Sequence, residues 1–158
     1  MKKLLAMVLA LVMTLSLAVS ASAVKADEKI NEDYAEAVAV LNGMGVFKGY
    51  EDGSFKPSGN VTGYEVLAMI LRAVGYDQKN EFTGADWALH VAQIAERQGI
   101  LDNVKGVDLN APATRELVSE LLFRSIQVPM VTYTAAFGYQ NVGLNGDNDG
   151  KTFKNNVS

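Results

Sequence analysis

The sequence predicts an all-α protein, in which helix-loop-helix repeats form a small helical bundle followed by a partly ordered C-terminal tail. Three observations carry that expectation. One order of residues appears twice, over 34–74 and again over 87–126. Helix-start residues precede the apolar stretches, and apolar side chains recur three and four positions apart, the spacing of a helix buried along one side. The repeats occupy residues 31–126, as copies over 31–76 and 85–126, and residues 127–158 form a polar tail with short strand-like stretches.

Ahead of the repeats, Lys2 and Lys3, an apolar run from Leu4 to Val19 and the small residues Ala21-Ser22-Ala23 compose a secretory signal peptide over 1–23. The run is shorter than the about 20 residues of a membrane span, and a cleavage site follows it at once. The product is therefore expected outside the cell and free of the membrane, starting near Val24, with 24–30 as a linker. Cysteine is absent, so packing alone must hold the fold there. Of 14 Lys and Arg the signal removes two, leaving 12 against 18 Asp and Glu and a balance of −6. Such an acidic chain is a poor nucleic-acid binder.

The first copy opens with Asp33-Tyr34-Ala35, where Asp33 and Glu36 have the spacing of a capping box, and runs through Val38 and Leu41 to Gly45-Val46-Phe47. A loop follows, with an Asp-Gly turn at Asp52-Gly53 and a helix-barring Pro57. Thr62 and Glu65 then form a second capping box, and Val66, Met69, Ile70 and Ala73 make an apolar stripe. The second copy opens with Asp86-Trp87-Ala88 and passes through Val91 and Ile94 to Gly99-Ile100-Leu101. Pro112 closes its loop, and Thr114 starts a helix whose stripe is Val118, Leu121, Leu122 and Ser125. Gly45 and Gly99 stand where a left-handed residue closes a helix.

Gly45-Val46-Phe47-Lys48-Gly49-Tyr50-Glu51-Asp52-Gly53-Ser54-Phe55-Lys56-Pro57, followed by Val61-Thr62 and a helix, resembles the S-layer homology family. The second copy resembles it more loosely, through Ala85-Asp86-Trp87-Ala88 and Thr114-Arg115-Glu116. The resemblance covers residues 31–126. It implies short helices whose loops and second-helix starts bind secondary cell-wall polysaccharide, often bearing a pyruvate ketal, in the wall or surface layer of a bacterium. The polysaccharide-binding residues it implies are Arg115, Thr114, Trp87, Tyr34, Asp52, Gly53 and Thr62. Two departures stand out. The family's Thr-Arg-Ala-Glu reads Thr62-Gly63-Tyr64-Glu65 in the first copy, and no third copy follows Ile126, which leaves open a shortened chain or one that associates with another copy.

Each candidate also has a plainer reading. Arg115 suits a carboxylate, which a guanidinium grips with two parallel hydrogen bonds, and is otherwise a solvated surface arginine. Tyr34 and Trp87 can line a sugar groove or, more commonly at such positions, anchor a core. Asp52 and Gly53 make either a ligand loop or a tight turn, and the turn is favoured. The single His90 has no cysteine partner and no nucleophile motif accompanies it, so an enzyme is not expected, nor is a cofactor. Asn145-Gly146-Asp147-Asn148-Asp149-Gly150 matches half a calcium loop, but the twelfth position is Asn156, so a flexible turn is expected there and no metal. Val128 to Tyr133 reads as strand-like, with Pro129 at its edge. The expected function is non-covalent attachment to the wall, and the alternative is a helical self-assembly module of a surface layer.

Overall fold

The computed structural model describes residues 29–50 and 52–142. These form the helices α1 (Glu32–Gly43), α2 (Gly63–Ala73), α3 (Trp87–Arg97) and α4 (Arg115–Ser125), then the strands β1 (Met130–Thr134) and β2 (Gly138–Val142). The described chain is thus mainly helical, with one two-stranded sheet. It divides into two compact units between Ser58 and Gly59. The signal peptide and the half calcium loop lie outside the described residues.

In the unit before Ser58, α1 begins two residues earlier than the sequence signals suggest. Asn31 is the cap, its side-chain oxygen accepting from the Asp33 amide at 3.0 Å, so Asp33 and Glu36 are helical residues and not a capping box. Glu32 and Asp33 consequently fall in the first turn, where carboxylates meet the positive end of the helix dipole. At the other end Gly45 adopts φ +73°, and the amides of Gly45 and Val46 reach back to the carbonyls of Asn42 and Leu41 at 2.9 and 3.0 Å. This double closure satisfies two carbonyls that the helix end leaves free. Gly99 closes α3 the same way, also at φ +73°, with Gly99 bonding Glu96 and Ile100 bonding Ala95.

In the unit after Ser58, α2 packs against both α3 and α4. Leu67, Leu71, Val91, Ile100 and Leu121 are fully enclosed there, with Val66, Ile70, Phe82, Ile94 and Ala95 around them. Each large side chain so buried contributes about 1.5–3 kcal/mol. Having neighbours on two sides, α2 buries Leu67, Ala68 and Leu71 as well as the predicted Val66 and Ile70, while Ala73 stays exposed. On α4 the predicted stripe shifts. Leu121 is buried, Val118 and Leu117 pack against the core, and Leu122 is exposed. The physical reason is that α4 lays one narrow face on α2, and Leu122 falls beyond its edge.

The connection from α2 to α3 is held by a buried ion pair, Arg72 Nε donating to Asp77 Oδ2 at 2.7 Å, while Asp77 Oδ1 accepts from the Phe82 amide at 2.8 Å. Both carboxylate oxygens are thereby occupied, as a charge taken out of water requires. Beyond α4, β1 and β2 pair antiparallel with Tyr133 opposite Tyr139 and Val131 opposite Asn141. An isolated hairpin is marginal in water. This one is fastened to the end of α2 by the Val131 amide, which donates to the Val74 carbonyl at 2.8 Å.

Candidate functional site

The second-helix starts, which carry the family-like threonines, are built alike. Thr62 Oγ1 accepts from the Glu65 amide at 3.3 Å, and the Glu65 carboxylate accepts from the Thr62 amide at 2.7 Å and from its hydroxyl at 3.0 Å. This is the predicted capping box. Thr114 Oγ1 accepts from the Leu117 amide at 3.1 Å, but Leu117 has no carboxylate to answer with, so this cap is one-sided. Both helices span 11 residues.

The two starts are also tied together. Thr62 and Pro112 form an isolated antiparallel bridge, the Ala113 amide donates to the Val61 carbonyl at 2.8 Å, and the Tyr64 amide donates to the Leu109 carbonyl at 3.1 Å. Leu109 therefore lies over Gly63. A β-carbon at residue 63 would meet the Leu109 side chain at 2.8 Å and its backbone at 3.1 Å. At residue 63 a side chain would therefore press on the loop of the second copy.

Arg115 has the opposite setting. It is the first residue of α4 and exposed, and among the described residues no carboxylate pairs with it. Beside it the helix start offers free backbone amides and a partial positive charge, with Glu116 as the acidic member of the first turn. Trp87 stands at the start of α3, half-buried against the core, its ring edge-on to Tyr64 with centroids 6.4 Å apart. That is the geometry of a packing anchor. Thr62, Trp87, Thr114 and Arg115 all belong to the unit after Ser58.

Tyr34, Asp52 and Gly53 belong to the other unit. Tyr34 is 64% exposed on α1, so it anchors no core. Asp52 accepts from the Ser54 hydroxyl at 2.6 Å and from its amide at 2.9 Å, and Gly53 turns the chain at φ +81° with its amide on the Tyr50 carbonyl. The Ser54 hydroxyl, then the Ser54 amide, hold the Asp52 carboxyl below its usual range. One carboxylate oxygen is thus committed to the turn itself, and Lys56 lies over the Tyr50 ring at 4.1 Å.

His90 Nδ1 faces the Glu81 carbonyl at 2.8 Å, on the exposed side of α3. Among the described residues no group of acidic or histidine side chains is arranged to hold a metal ion. Reasoning from sequence missed an aromatic cluster on the hairpin, in which Tyr139 lies 5.1 Å from Tyr76 and 5.2 Å from Tyr133, centroid to centroid. The available signal was a pair of tyrosines flanking a short turn, each at an alternate position of a strand.

Comparison with known proteins follows the first copy. Residues 27–67 match the S-layer homology domain. A middle cell wall protein of Brevibacillus brevis is 43% identical over 51 residues, which are 32% of this chain and 5% of that protein. A surface layer protein of Brevibacillus choshinensis is 41% identical over 51 residues, with the same shares. The chain therefore matches only about a twentieth of the length of these curated relatives. No solved structure matches it. The matched segment contains the loop motif, the Thr62 cap and the beginning of α2, so the likeness to the S-layer homology domain rests on residues 27–67.

Proposed function

We propose that this protein attaches without a covalent bond to the bacterial cell wall, the start of α4 gripping an acidic group of secondary wall polysaccharide through Arg115. The coarser role is that of an exported protein of the cell wall or surface layer, in keeping with the domain it resembles and the names of its relatives. The observation that carries the finer reading is the contrast between two equivalent positions. At residue 63 the place is filled by Leu109, whereas at residue 115 an arginine stands exposed at a helix start with no carboxylate paired to it among the described residues. A guanidinium there presents a planar pair of donors, which match the two oxygens of a carboxylate such as a pyruvate ketal carries.

The test is co-sedimentation with purified walls. Arg115→Ala is expected to weaken binding by about 1.5–3 kcal/mol, Arg115→Lys to recover part of it, and the variants to keep wild-type melting. Salt should weaken the wild type more than the alanine variant. Undiminished binding by Arg115→Ala, together with indifference to chemical removal of wall pyruvate, would refute the assignment.

The second reading, self-assembly, draws on α4 as well. Leu122, Phe123 and Ile126 are 49%, 58% and 55% exposed, which leaves large apolar side chains uncovered on a short helix. Sedimentation velocity separates the two. A concentration-dependent oligomer indifferent to walls supports assembly, and a monomer that sediments with walls supports attachment.

A further inference from the structure

The hairpin after α4 is uncharged. From Ser125 to Gly146 the chain has no Lys, Arg, Asp or Glu, although 20% of all residues are charged and the net balance is −4. Its two edges are unlike. In an antiparallel pair, residues that bond across the ladder alternate with residues whose amides and carbonyls point outward. On β1 the outward amides are used, Val131 donating to the Val74 carbonyl at 2.8 Å and Tyr133 to Gln78 Oε1 at 3.1 Å. Their register partners on β2, Asn141 and Tyr139, therefore also point their backbone groups outward, away from β1. Among the described residues nothing bonds to the amide or carbonyl of either on that side.

β2 is thus an open edge. Such edges template the addition of another strand, and folds commonly blunt them with lysine, proline or a bulge. Gly138-Tyr139-Gln140-Asn141-Val142 has none of these, and its register with β1 is unbroken. The edge also matches itself. When β2 lies antiparallel to a second β2 with Gln140 opposite Gln140, Tyr139 of each stands opposite Asn141 of the other, and each such pair exchanges both N–H···O bonds. Every outward amide and carbonyl of the two strands then has a partner. Sliding the strands by two residues in either direction sets Asn141 opposite residue 137 or Tyr139 opposite residue 143, outside the strand, so one register is favoured. In that register the exposed Gln140 meets its copy as a neutral amide, and Val142, 40% exposed, comes opposite the bare backbone of Gly138.

We infer that β2 is the contact through which two copies of this chain join, edge to edge, in a two-fold sheet of order β1-β2-β2-β1. Charge favours a second copy as the occupant, because an acidic protein repels its own kind over much of its surface and meets no such repulsion at this hairpin. Two-fold symmetry then sets each donor of one edge against an acceptor of the other. Since Val74 and Gln78 already take the outward amides of β1, the sheet stops at two copies and closes as a dimer. Two five-residue edges make a small interface, so the dimer is weak and concentration-dependent. The contact uses neither Arg115 nor the apolar side chains exposed on α4, and it stands apart from both readings of function.

The absence of cysteine makes the test simple. Opposite residues that lie between hydrogen-bonded pairs have α-carbons about 4.5 Å apart, within the disulfide range of about 4.4–6.8 Å. In the whole secreted chain, Gln140→Cys is expected to give a disulfide-linked dimer under mild oxidation, at least tenfold faster than Thr132→Cys, which lies on the same face one strand further from the two-fold axis. Sedimentation velocity of the wild type is expected to show a dimer whose affinity falls at least tenfold in Gln140→Lys and in Asn141→Pro. The first sets like charges face to face, and the second removes an outward amide without touching the ladder to β1. Amide spectra check that the hairpin persists in each variant. A chain that stays monomeric and gives no Gln140→Cys dimer overturns the inference, as it would if residues 143–158 covered the edge of their own strand. Equal crosslinking of Thr132→Cys overturns it too. So does a dimer that neither variant weakens, which would leave assembly through α4 in place.

Discussion

Thr62 and Thr114 occupy the same place on equivalent helices, yet they do unequal work. Thr62 satisfies one helix-start amide and is itself held by Glu65 at 2.7 and 3.0 Å, whereas Thr114 makes a single bond with no return contact. Thr62→Ala is expected to cost about 1 kcal/mol, which lowers the melting midpoint by roughly 4–8 °C in a unit of this size, and Thr114→Ala to cost less. Equal losses in thermal melts would mean that the Glu65 carboxylate adds nothing. Gly63 gives a sharper case. Its α-carbon is covered by Leu109, so Gly63→Ala should destabilise by about 1–3 kcal/mol in spite of alanine's better helix propensity. A variant as stable as the wild type in urea would show that the 108–113 loop yields freely.

Among the elements, the hairpin depends most on a titrating contact. Partial burial disfavours the charged form of Glu81, but the Tyr139 hydroxyl, the backbone amides of Glu81 and Lys79 and the Lys79 charge outweigh it and hold the pKa below the usual range. Tyr139 is pushed upward, by burial first and then by its bond to Glu81, so it stays a neutral donor at ordinary pH. A depressed carboxylate stabilises fully above its unfolded pKa, about 4.3, and loses that contribution as pH falls through the lower folded value. Amide exchange in β1 and β2 is accordingly expected to rise, relative to α2, below about pH 4.3. Glu81→Gln should have raised exchange at neutral pH and a flatter profile. Identical profiles for wild type and variant would show that the Glu81–Tyr139 contact adds nothing to what holds the hairpin.

At the scale of the molecule, the N-terminal pattern and the family-matched segment point the same way, to a protein that leaves the cell and stays at its surface. The secreted product is expected to begin at or near Val24, behind Ala21-Ser22-Ala23. N-terminal sequencing of exported material checks this, and a product that retains Met1 in the membrane would contradict it. The absence of cysteine fits the rest of the design. With no disulfide to constrain it, the unit after Ser58 relies on α2 packed on both sides, the occupied Arg72–Asp77 pair and the cross-tie from Leu109 and Ala113 to the start of α2.

The sequence by itself determined whatever is carried by short-range signals. Thr62 and Glu65 three residues apart announce a capped helix, Gly45 and Gly99 announce helix ends, and the loop from Gly45 to Pro57 carries the likeness to the S-layer homology domain, because each depends on groups near one another in the chain. Where a nearer group competes, the local signal misleads, as when Asn31 takes the Asp33 amide and the expected box disappears. Only the tertiary structure decided which apolar residues are covered and which residues meet. Leu122 has the right spacing but lies outside the face α4 presents to α2, and Leu67 and Leu71 are enclosed because α2 has two neighbours. Leu109 over Gly63, and Tyr139 beside Tyr76 and Arg97, join segments far apart in the chain. No periodicity encodes such meetings. They follow from how packed helices and a fastened hairpin bring distant backbone together.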